Sequence, residues 1–173
     1  LANWKNSEEL EAGFSTKGID INSLHNAYKK GEAPHLNLGV NYYFNNYLKR
    51  AGLEFEKAIQ LNPQSIMANY WRAQVYLKNE QRDQAAKTLR ESLSAIPSFF
   101  SALYSLGELS VLSGDNSKAI KYYKQALRVS ENTAIILKLG ILHENSKNYS
   151  AADSYYTQLI KLSPQWYLGY SQL

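Results

Sequence analysis

Residues 32–65, EAPHLNLGVNYYFNNYLKRAGLEFEKAIQLNPQS, place Leu38, Gly39 and Tyr42 before a turn at Asn45-Asn46, then Ala51, Phe55 and Ala58, and close on Pro63. Its apolar and small residues recur at three- and four-residue steps, which gathers them on one face of a helix. The Asn pair punctuates the middle and the proline stops the end. This is the pattern of two short antiparallel helices, with small residues where the backbones approach and large ones filling the groove between them.

The same pattern returns along the chain. Pro97 lies 34 residues beyond Pro63, and Pro164 lies 67 beyond Pro97, one short of two such periods. Aligned on the prolines, Leu38-Gly39, Arg72-Ala73, Leu106-Gly107 and Leu139-Gly140 fall together. So do Tyr42, Tyr76, Ser110 and His143, the small residues Ala51, Ala85, Ala119 and Ala152, and then Phe55, Leu89, Tyr123 and Tyr156. A fixed period in the thirties marks a stacked-repeat architecture. The spacing predicts helices over 34–46, 49–61, 66–79, 82–95, 99–113, 116–130, 133–146 and 149–162.

On these residues the chain resembles the tetratricopeptide repeat family. Leu38, Gly39, Tyr42, Ala51, Phe55, Ala58 and Pro63 fill signature positions of a first unit over 32–65, followed by units 66–99, 100–132 and 133–166. The second unit departs at Ala73 and Leu89, which read as two mild changes; the third and fourth lose an aromatic at Ser110 and His143. The resemblance implies an all-α, right-handed α-solenoid of antiparallel helix pairs. Residues 1–31 are expected to form an irregular helical cap, and 167–173 the start of a truncated fifth repeat or a terminal helix. A chain that begins at Leu1 and ends on Trp166, Tyr170 and Leu173 reads as a piece of a longer array, or as one that self-associates through that apolar end.

Composition excludes several roles. The 173 residues contain no cysteine, which removes disulfides and thiolate metal sites, and leave the compartment open between cytoplasmic and extracytoplasmic. No apolar run is long enough to span a membrane, so a membrane connection would require other parts of the chain. No nucleotide, hydrolase or metalloprotease motif occurs, and His25, His35 and His143 lack two-ligand spacing. Glu54 and Glu56 fall on positions expected to face solvent, and Asn148-Tyr149-Ser150 reads as a chance glycosylation triplet. No catalytic residue, metal or cofactor is expected. The net charge of +4 is too small and too dispersed for strong nucleic-acid binding, and the stripe Lys118, Lys121, Lys124 and Arg128 reads as a solvated helix face, with a protein or membrane-headgroup contact as the alternative.

The resemblance implies that the first helix of each pair lines a concave groove. Its binding positions carry over to Leu36, Val40, Tyr43 and Phe44, then Tyr70, Gln74 and Lys78, then Tyr104 and Glu108, then Leu137 and Ile141. The carboxylate clamp of chaperone-binding members is absent, because Leu36, Val40, Ser101 and Ser105 occupy its places. The expected function is a non-catalytic scaffold holding an apolar or amphipathic protein or peptide segment in the groove. An alternative comes from Trp4 to Leu10 with the later Asn37-Leu38-Gly39, which resembles the approach to the repeats in membrane-embedded glycosyltransferases. On that reading this is an extracytoplasmic repeat domain with catalysis elsewhere. The soluble O-linked sugar transferases are a poorer match, since their groove uses asparagines where this one is aromatic and aliphatic.

Overall fold

The computed structural model describes residues 31–164. The expected N-terminal cap, its last residue aside, and the terminal Trp166, Tyr170 and Leu173 lie outside the described residues. Among the described residues there are eight α-helices and no strand: α1 (Ala33–Phe44), α2 (Leu48–Leu61), α3 (Ile66–Lys78), α4 (Arg82–Ala95), α5 (Phe100–Leu112), α6 (Asn116–Val129), α7 (Thr133–Asn145) and α8 (Tyr149–Leu162). Each helix packs on the next in chain order, and α1 also reaches α3. Stability in such a stack comes from nearest-neighbour interfaces rather than one centre.

Local chemistry sets the helix ends. Ser65, Asp115, Asn132 and Asn148 accept from the backbone N–H three residues on, capping α3, α6, α7 and α8. Each such cap is worth about 1 kcal/mol. The corner inside every pair uses one geometry: Asn46, Glu80, Gly114 and Lys147 all take left-handed backbone, with φ of 62°, 60°, 73° and 58°. The residue after each donates back five positions, as Tyr47 N–H does to the Tyr42 carbonyl and Gln81 N–H to that of Tyr76. This double-bonded Schellman closure satisfies carbonyls that the helix end would otherwise orphan.

The interior explains which residues of the motif matter. A methyl group added at Gly39 would come within 2.5 Å of the Phe55 ring, and one at Gly107 or Gly140 would run into Tyr123 or Tyr156. A flat ring therefore lies directly on bare backbone in three of the four pairs. In the second pair the two positions are Ala73 and Leu89, both fully buried in one cluster. The two departures are thus one coupled exchange: the branched chain leaves room that the ring would take.

One expectation is overturned. Glu54 does not face solvent; it is buried in α2, where His35 Nδ1 lies 2.6 Å and Lys57 Nζ 2.8 Å from its oxygens. The bond from Lys57, helped by that to His35, holds its carboxyl below the ordinary value against the cost of burial. Reading α2 alone could not show this, because His35 arrives from α1. His143 is buried and stacked on Tyr155 at 5.6 Å, with Nε2 lacking a partner. Burial first, and Lys124 second, push its pKa down.

Candidate functional site on the first helices

Helices α1, α3, α5 and α7 carry all eleven expected groove residues. Leu36, Val40, Tyr43, Tyr70, Gln74, Tyr104, Glu108 and Leu137 are half-buried, whereas Phe44, Lys78 and Ile141 are exposed. These residues fall into three contact groups that follow the order of the pairs.

The first group is aromatic. Tyr43, Phe44 and Trp71 meet edge to face with ring centroids 5.2–5.6 Å apart, and Tyr70 adds a further edge contact to Trp71 at 5.6 Å. Such contacts contribute about 0.5–1.5 kcal/mol each beyond area burial. The Lys78 ammonium lies 4.2 Å over the Tyr43 ring, a cation–π contact at the edge of the cluster. Phe44 remains 69% exposed in spite of these neighbours. Burial, then the neighbouring Tyr70, raises the pKa of the Tyr43 hydroxyl.

The second group is polar and neutral. Tyr70 stands against Phe99 at 5.4 Å, with the hydroxyls of Ser105 and Ser101 beside its own. Gln74 Nε2 donates to Ser105 Oγ at 3.2 Å, joining α3 to α5. Burial is the main reason the Tyr70 hydroxyl is pushed up, so it remains a donor throughout the physiological range.

The third group is ionic. The Tyr123 hydroxyl of α6 donates to Glu108, and Lys138 Nζ approaches the same carboxylate at 3.1 Å from α7. Tyr104 packs beside Tyr123 at 6.1 Å. Burial first, then the Glu108 carboxylate, pushes the Tyr123 hydroxyl far above its ordinary value.

Each group crosses from one pair to the next. Val40 and Trp71 pack on the same buried cluster, Gln74 bonds Ser105, and Glu108 pairs with Lys138. Trp71 and Lys138 were not among the residues carried over from the family, and Ser105 entered only as an unfilled place of the carboxylate clamp, yet each stands on the first helix that follows that of its partner. The available signal was spacing: each lies 31, 31 and 30 residues beyond its partner, the last shortened with the third unit. Leu137 and Ile141 are placed on α7 but join none of the three groups.

The first helices also expose apolar side chains. Leu38, Phe44, Met67, Val111, Leu112 and Ile141 are exposed large side chains on the first helices. A depression of about 310 Å³ opens between α3 and α5, with Leu77, Leu109 and Leu112 on its apolar side and Ser105, Glu80 and Glu108 on its polar side. No grouping of three His, Asp or Glu side chains among the described residues could hold a metal ion. No described helix is long and apolar enough to cross a membrane.

Comparison with known proteins matches this architecture. A family profile described as "Tetratricopeptide repeat" covers residues 70–133, and a second of the same description covers 34–65 and 134–165. This chain belongs to the tetratricopeptide repeat family. Among solved structures, MamA superposes with a TM-score of 0.72 at 18% identity, covering 83% of this chain and 85% of that one. YrrB, described as a tetratricopeptide protein with an unusual peptide-binding site, gives 0.70 at 22% identity, covering 83% and 74%. At these identities the likeness concerns the fold.

Two curated relatives are each 24% identical. One is a UDP-N-acetylglucosamine–peptide N-acetylglucosaminyltransferase of Giardia intestinalis, matched over 90% of this chain and 11% of that protein. The other is anaphase-promoting complex subunit 3 of Schizosaccharomyces pombe, matched over 61% and 16%. The chain therefore spans less than a fifth of the length of either relative.

Proposed function

We propose that this tetratricopeptide chain is a non-catalytic binding module whose first-helix face holds a segment of a partner protein. The observation that carries this reading is the exposure of Phe44, Val111, Leu112 and Ile141 on the first helices, of which α1, α3 and α5 also carry half-buried tyrosines. Aromatic anchors with few rotamers contribute large contact area at low entropic cost, which suits a binding surface. Buried hydroxyls and the Gln74–Ser105 pair supply a polar side for backbone groups of the bound segment. A partner segment with apolar side chains on one side fits this division. The peptide-binding description of YrrB supports the same class of function on the same fold.

The test is selection of displayed peptides on purified protein, followed by mapping of the bound peptide by NMR. Phe44→Ala removes a mostly exposed ring together with its edge contacts to Tyr43 and Trp71, so it should cost about 1–3 kcal/mol and lower the thermal midpoint by several degrees while the protein still folds. The same change should weaken a selected peptide about tenfold, the loss of one anchor side chain. Peptides that bind a folded Phe44→Ala variant equally well, or that map to α2, α4, α6 and α8, would overturn the assignment.

A further inference from the structure

A second surface lies apart from that face. The chain has 19 basic and 15 acidic side chains, a surplus of +4. Helix α6 alone holds Lys118, Lys121, Lys124 and Arg128 and no acid, so this helix carries the whole surplus and the rest of the chain balances. All four are exposed, while Ala119, Tyr123 and Ala126 turn inward. At 3.6 residues per turn the four cations occupy one arc roughly 120° wide, with axial steps of about 4.5, 4.5 and 6 Å.

Lys118 is held at 2.6 Å by Asp115, the capping residue of α6. For Lys121, Lys124 and Arg128 no ion pair is found among the described residues. Three unpaired cations in a row on one helix lower the cost of bringing up an acidic partner and repel a basic one.

We propose that the outer face of α6 docks an acidic helix of a partner protein. The step length selects this partner among polyanions. A helix with acids three, three and four residues apart reproduces the same axial steps, since both helices rise about 1.5 Å per residue. An extended acidic strand repeats at about 6.8 Å on one face and falls out of step. A single row without exposed large apolar side chains other than Val129 lacks the inserting groups that hold a helix in a lipid interface.

The probe is a synthetic helical peptide with Glu at i, i+3, i+6 and i+10, compared with a peptide of equal composition whose acids are spread around the helix. All 173 residues are kept in the protein used, and binding is followed by fluorescence anisotropy. The expected result is preference for the matched peptide, weakening as salt rises, and a loss of about tenfold or more in the Lys121→Glu, Arg128→Glu double variant. Lys49→Glu, which changes charge on exposed α2, should have little effect, and Phe44→Ala none, which separates this surface from the first-helix face. Equal binding of the two peptides, or equal loss with Lys49→Glu, would overturn the proposal in favour of diffuse charge. Tighter binding to phosphatidylcholine vesicles containing about a quarter phosphatidylserine, or to a single-stranded oligonucleotide, would overturn it in favour of those partners.

Discussion

The ring-on-glycine contact allows a test in which a damaging change repairs another. Gly39→Ala places a methyl 2.5, 2.7 and 3.0 Å from three atoms of the Phe55 ring. Phe55 is fully buried, so the ring cannot swing away. Overpacking of this kind costs about 1–3 kcal/mol, and three contacts at or below 3.0 Å belong in the upper half of that range. Removing glycine from a helix interior returns about 1 kcal/mol, which leaves a net loss of about 1–2 kcal/mol. Phe55→Leu alone leaves an unfilled space over bare Gly39 and should cost about 2 kcal/mol, the low end of large-to-small core changes. Together the two substitutions install the pairing that the second unit already uses at Ala73 and Leu89. The double variant should therefore be at least about 1 kcal/mol more stable than the sum of the singles, the coupling expected of touching residues. Urea denaturation followed by far-UV circular dichroism measures all four proteins, with Trp71, stacked on Phe55 at 6.4 Å, as a local fluorescence probe. Additive losses, or a stabilising Gly39→Ala single variant, would refute the coupled-exchange account.

Three further outcomes are expected. At the corners, Gly114→Ala should cost about 1 kcal/mol and Glu80→Gly should be neutral or stabilising by a few tenths, because left-handed backbone penalises a Cβ; thermal midpoints check both. Glu54 has a lowered folded pKa, so its contribution is complete above its ordinary value of 4.5 and is lost as pH falls through the folded value. Glu54→Gln should accordingly flatten the acid limb of a stability–pH curve measured by urea midpoints. His143 has a lowered folded pKa, so the folded state takes up fewer protons and stability declines as pH drops below the ordinary 6.5 toward that value. In His143→Phe that decline between neutral and mildly acidic pH should disappear, and its persistence would place the cause at another group.

Helix positions were legible because three independent marks agree: proline spacing, turn residues and small residues in register. The predicted spans match the observed helices to within about two residues at each end, the usual ambiguity of frayed termini. The eleven candidate residues lie on the four helices expected. What sequence reading missed depends on contacts between units. Ala73 and Leu89 looked like separate departures until their 16-residue spacing, shared with Gly39 and Phe55, showed them to be partners. Glu54 looked solvent-facing because its partner His35 belongs to another helix. Trp71 and Lys138 were overlooked, and Ser105 was noted only as a clamp place without its basic residue, because the carried-over positions describe what a ligand meets, whereas these three meet the preceding unit. Side chains that reach 30 or 31 residues along the chain leave no mark on the periodicity of a single helix.

The three connections between successive first helices differ in kind: apolar around Val40 and Trp71, neutral at Gln74 and Ser105, ionic at Glu108 and Lys138. A stack joined in this way does not bend as a uniform spring. Added salt weakens the Glu108–Lys138 contact but not the buried cluster of Leu103, Tyr123, Ile135 and Leu139 that also joins the last two pairs, whereas cooling weakens the apolar contacts at every joint. The middle joint is governed mainly by how well water competes for its amide and hydroxyl. Salt therefore acts on single contacts along the first helices while the buried clusters beneath them hold, so a long ligand would meet a track whose polar contacts, rather than its packing, respond to the medium.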